Sequence, residues 1–217
     1  MKPFVTHLFP SIAFVALLGA CANNRAPAMV EPPIAPVSAA CASRPAFSQE
    51  RPVQAAAVQS LERVVVSAAP ESATALVSRA WDKSRDDDHA GAVALFDLAL
   101  TRPDSNMTVD RIRWSYGWAM FNLNDHACAL AHFDLARQAA PERVRWVPPT
   151  FAVTYWQMGA RAIALRWYDE AAKNEPGCWI DARAAERCTR HWLRPERRAL
   201  GELLTAWKRK RFAQAEE

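Results

Sequence analysis

Five cysteines and five histidines are the residues of this chain best suited to metal binding, redox exchange or nucleophilic work. Their spacing is poor for all three. There is no HExxH pair to seat zinc on one helix face, no GxSxG turn to present a serine, and no CxxC pair to pass electrons. His89 and His126 each follow a tight-turn sequence, where packing or solvation accounts for them, and His126 and His132 stand six residues apart, off a shared helix face. Arg85-Asp86-Asp87-Asp88-His89 crowds carboxylates as a calcium loop would, without the alternating acidic spacing and the distant glutamate that such loops use. The six glycines are scattered, so no loop is built to cradle a phosphate. The expectation is a non-enzymatic chain with no cofactor and no metal.

The remaining thiol chemistry concerns Cys41, Cys128, Cys178 and Cys188, which can pair in an oxidising compartment. If Asp181 to Trp192 forms one helix, Cys178 and Cys188 sit about ten residues apart on an axis rising ~1.5 Å per residue, too far for a bridge. A bridge there would require the helix to begin late. Cys128 is expected as a small core residue of its helix, and Cys41 as an exposed thiol, an intermolecular partner or a residue without a role.

The elements that would position these groups come from the apolar pattern. Hydrophobic residues make up 51% of the chain, enough for a core, and the formal charge of +4 is too mild to imply nucleic acid. Helices are expected at about 71–85, 89–101, 109–122, 126–139, 147–157 and 161–173, then at 181–192 and 195–212. Within them a pattern recurs. Ala92, Phe96 and Ala99 are matched by Ala129, Phe133 and Ala136 and by Ala164, Tyr168 and Ala171, with Pro103, Pro141 and Pro176 following. The aromatic position returns after 37 and then 35 residues, and an aspartate follows it each time, at Asp97, Asp134 and Asp169. Turns recur at Asp87-Asp88, Asn124-Asp125 and Gly159-Ala160. The stretch Trp114 to Pro141, with Gly117 as a further small residue, resembles a tetratricopeptide (TPR) unit, a repeat of about 34 residues made of two antiparallel helices. The resemblance implies an all-α fold, a TPR-like α-solenoid of about three helix pairs over 71–177. Residues 178–213 would follow as a capping helix pair, with Leu200, Leu203, Leu204 and Trp207 on one apolar stripe.

The N-terminus carries Lys2, an apolar run from Ile12 to Ala20 and then Cys21, too short to span a bilayer and suited to a signal peptide over 1–20. Leu18-Gly19-Ala20-Cys21 resembles a bacterial lipobox, which implies that Cys21 receives a diacylglycerol. Ala22 is not the aspartate associated with inner-membrane retention, so the implied address is the outer membrane, facing the periplasm. An ordinary secretory signal is the alternative. Residues 21–54 are rich in proline and alanine, the composition of a disordered tether that could extend on the order of 100 Å at about 3 Å per residue. Residues 55–70 are expected as a linker or a short extended segment. Within them Glu62, Val64, Val65 and Val66 resemble a TonB box, a strand added to the edge of a partner sheet, so an accessory of TonB-dependent energy transduction is a second functional class.

The resemblance to TPR proteins also implies a concave groove lined by the first helix of each pair. It would place Trp81, Arg111, Trp114, Trp118, Phe121, Trp146, Trp156 and Gln157 along that groove. Aromatics there offer large apolar area for a peptide guest, and Arg111 could meet a carboxylate. The competing reading is that these rings pack against neighbouring helices or that the C-terminal pair folds into the groove. From Asp181 to Arg211, ten Lys/Arg stand against four Asp/Glu and end in Lys208-Arg209-Lys210-Arg211, either a solvated helix end or a surface for anionic phospholipid or an acidic partner. The leading expectation is an envelope adaptor that binds a protein or peptide, lipid-anchored, with a cell-wall enzyme last among the alternatives.

Overall fold

The computed structural model describes residues 33–41, 71–140 and 145–216, and every regular element among them is a helix. The segments 1–32 and 42–70 lie outside the described residues, and with them the signal peptide, Cys21 and the TonB-box-like Glu62, Val64, Val65 and Val66. Among the described residues no helix is long and apolar enough to cross a membrane.

The first long helix, here α2 (Ala73–Arg85), starts where Ser72 accepts a hydrogen bond from the Ala75 amide, and it buries Ala73, Leu76, Val77, Ala80 and Ser84 along one stripe. It is followed by α3 (His89–Leu100), α4 (Val109–Asn122), α5 (His126–Ala139), α6 (Val147–Gln157) and α7 (Arg161–Asn174). The turns within the pairs α2/α3, α4/α5 and α6/α7 are built alike. In each, a residue at positive φ follows the helix end: Asp87 at 59°, Asn124 at 60° and Gly159 at 78°. Its amide reaches back to Ser84, Phe121 or Trp156, and the next amide to Lys83, Met120 or Tyr155. This double closure is a Schellman motif, and it satisfies the carbonyls that a helix end leaves free. Asp88 and Asp125 then cap the second helix by accepting from the amides of Gly91 and Cys128, whereas Ala160, at the third turn, has no side chain to do so.

The repeated small and large residues meet inside these pairs. Ala92, Ala99, Ala129, Ala136, Ala164 and Ala171 are buried, as are Phe96, Phe133 and Tyr168. Gly117 is needed for closeness: a Cβ there would lie 2.5 Å from a ring carbon of Phe133. Pro148 and Pro149 sit in the first turn of α6, where the missing amide protons cost nothing.

Two expectations are corrected in the segments outside these six helices. Pro33–Cys41 falls in the stretch read as tether, yet it carries a short helix, α1 (Val37–Ala40), which packs on α5 with Ala40 buried. Cys41 is neither a free thiol nor an intermolecular partner, because it forms a disulfide with Cys128, with Cα atoms 4.5 Å apart. Cys128 is the fully buried core residue expected, but it is also half of that bridge. The second correction concerns 181–192. The chain bends at Ile180-Asp181 and makes two short helices, α8 (Pro176–Trp179) and α9 (Ala182–Cys188), the latter capped by Asp181. Cys178 and Cys188 therefore do not share one axis, and they bridge with Cα atoms 5.8 Å apart. The last helix, α10 (Arg194–Ala215), packs against α7 as a cap should, and also against α6 and α4.

Candidate functional site

The aromatic positions expected to form a groove are brought together, but largely as interior. The Trp114 ring lies 3.8 Å from Trp146, 5.2 Å from Phe133 and 5.5 Å from Trp118, centroid to centroid. Trp118 is 6% exposed and Phe121 2%. The reason is Trp192, in the connection between α9 and α10, whose ring stands 4.9 Å from Trp118 and covers it. The open groove expected across α4 and α6 is thus occupied by the chain's own C-terminal segment, and only part of the set remains accessible. Trp81 is half-buried on α2, at the position that Trp118 holds on α4. Arg111 and Gln157 are exposed, and Arg111 donates to the Asn106 carbonyl at 2.9 Å. Trp156 is half-buried, with the Arg161 guanidinium 3.6 Å from its ring centroid.

Polar contacts hold α10 in that place. Leu200, Leu203, Leu204 and Trp207 are buried, as the stripe predicted. Glu196 is buried with them, and accepts from Asn122 Nδ2 at 2.8 Å and from the Leu193 amide at 2.9 Å. Burial raises the Glu196 carboxyl above its usual range, opposed by those two hydrogen bonds and by Arg197. Trp156 Nε1 donates to Glu202 at 3.3 Å, and Trp207 Nε1 to Asp169 at 3.4 Å. Beyond these contacts the end of α10 emerges with Arg209, Lys210 and Arg211 exposed and Phe212 70% exposed. A cleft of about 380 Å³ lies between α9 and α10, where Glu186 and Arg197 face walls of alanine and leucine.

A second cluster was not anticipated. His132 lies beneath the Cys41–Cys128 bridge, 1% exposed, its ring stacked on Tyr116 at 3.7 Å. Arg113 Nη1 stands 3.2 Å from His132 Nδ1, and Arg113 can only donate, so Nδ1 accepts and the ring proton sits on Nε2. Nε2 has no hydrogen-bond partner. Burial, then the Arg113 charge, pushes His132 down to about 3, so its ring is neutral at physiological pH. Burial also raises Tyr116 above its ordinary range, with Asp97 adding to the effect, and raises Asp97 against the pull of Arg113. Cys128 and His132 are spaced i, i+4 on α5, a signal legible in the sequence; Cys41, 87 residues from Cys128, carried none. Comparison of the chain with family models, with curated proteins and with solved structures finds no match.

Proposed function

We propose that this chain is a non-enzymatic adaptor of the bacterial cell envelope, anchored through acylated Cys21 in the outer membrane and facing the periplasm. Its TPR-like helix pairs would hold a helical or extended segment of a protein partner. The observation that carries this reading is α10. The face of α4 and α6, which the repeat register marks for a peptide guest, already holds a helix by an apolar stripe and by polar contacts at Asn122 and Trp156. The three Schellman turns support the repeat register itself, because the same backbone closure recurs at the same place in each pair.

A partner segment would continue beyond the start of α10, over the part of α2 around Trp81, where no ring among the described residues stands as Trp192 stands over the equivalent Trp118 one pair further on. The exposed end of α10, with Arg209, Lys210, Arg211 and Phe212, suits the anionic headgroups of the membrane that holds the anchor. The test places a photo-reactive phenylalanine at Trp81 in living cells, with the exposed Leu98 on α3 as control. A discrete adduct from position 81 and none from position 98 is expected. Cys21→Ser should release the protein from the outer-membrane fraction. No adduct from 81, 111 or 157 in correctly localised protein would remove the adaptor reading.

A further inference from the structure

We propose that Cys41, Cys128 and His132 form a binding site for a soft d10 cation, cuprous ion foremost, which becomes available when the Cys41–Cys128 disulfide is reduced. One ligand atom from each of the three lies within 4.8 Å of the others. Two come from one face of α5, an i, i+4 pair like those that hold metals on helices, and the third comes from the residue that follows α1. The independent observation is the imidazole. It is 1% exposed, and its Nε2 is buried without a hydrogen-bond partner, a state that folded proteins seldom keep.

The donor set selects the ion. Thiolates are soft ligands that favour cuprous ion and zinc, and imidazole accepts both. Zinc in proteins takes four ligands, whereas two sulfurs and one nitrogen complete the trigonal arrangement that cuprous ion tolerates. Two thiolates and a neutral ring around a monovalent cation leave one negative charge, and Arg113 stands beside the ring to meet it. Coordination ends the donation from Arg113 to Nδ1: directly if Nδ1 binds, and through transfer of the ring proton to Nδ1 if Nε2 binds. The guanidinium then turns to the thiolates or to Asp97, its existing electrostatic partner.

The electron balance is closed by a dithiol reductant. The sulfur–sulfur bond breaks on taking two electrons and two protons, the reductant closes its own disulfide, and the bound cation displaces the two thiol protons into solvent. The ion then joins the same two cysteines that the disulfide joined.

The experiment uses the full chain with Cys21→Ser, reduced by a phosphine under anaerobic conditions and titrated against a chromophoric cuprous chelator. One equivalent should leave the chelator after reduction and not before. That equivalent should persist in the Cys178→Ser/Cys188→Ser chain, disappear in Cys128→Ser, and bind at least about 10-fold more weakly in His132→Gln, since losing a ligand costs no less than losing a residue that orients one. Because His132→Gln disturbs a packed ring, X-ray absorption of the copper-loaded parent gives a second readout, expected to show two sulfur neighbours and one nitrogen. Equal uptake by the oxidised chain, uptake that follows Cys178 and Cys188, a sulfur-only shell, or helix lost on reduction and not regained with copper would each overturn the proposal.

Discussion

Phe133 is held from several sides, with Trp114 and Trp118 against its ring and Gly117 beneath it. Gly117→Ala gains helix propensity of about 1 kcal/mol, but its methyl would meet ring carbons at 2.5 and 2.6 Å that have nowhere to move. Overpacking outweighs propensity, and we expect a net loss of roughly 1 to 2 kcal/mol, read as a lower urea midpoint at unchanged slope. Positions of this kind were legible beforehand. Ala129, Phe133 and Ala136 face the core because short-range periodicity sets which side of a helix a residue occupies. The burial of Trp118 was not legible. Its cover, Trp192, comes from another part of the chain, and no local pattern tells a ring awaiting a guest from a ring awaiting its own chain.

Among the elements, α7 starts without the carboxylate that caps α3 and α5, although the backbone at Ala160 (φ −78°, ψ 61°) nearly matches that at Asp88 (−84°, 79°) and Asp125 (−96°, 70°). Ala160→Asp should therefore supply the missing cap and raise stability by about 1 kcal/mol, measured by thermal or urea unfolding. The docking of α10 carries a pH dependence through Glu196. Its folded carboxyl is raised above the unfolded value of about 4.3, so the folded chain holds the proton more tightly. Its contribution is fully present below that unfolded value and is lost as pH rises through the folded one. Glu196→Gln should flatten this fall in the urea midpoint from mildly acidic to neutral pH. If the variant and parent curves run parallel, Glu196 is not its source. The six helices of the stack fall within a few residues of their expected bounds, because caps, turn residues and apolar spacing agree there. The helix expected over 181–192 begins within a residue of that bound but stops at Cys188, where Thr189 takes the C-cap, and the single turn of α8 is too short to leave a periodic pattern.

For the molecule as a whole, helix pairs built on one turn geometry are closed at one end by α10 and stapled on α5 by Cys41. Composition concealed the staple, since the proline- and alanine-rich stretch around Pro33 to Cys41 has little apolar area, and its disulfide reinforces the modest packing of Ile34 and Ala40. That bond fixes where a mechanical load would enter. Tension applied to residues before Cys41 passes through sulfur into the first turn of α5, in the middle pair, by a path that bypasses residues 42–72. Opening the bond instead routes the load along the backbone, through residues 42–72, to the start of α2. The Cys41–Cys128 linkage thus sets which of the long helices takes up a pull on the chain before Cys41.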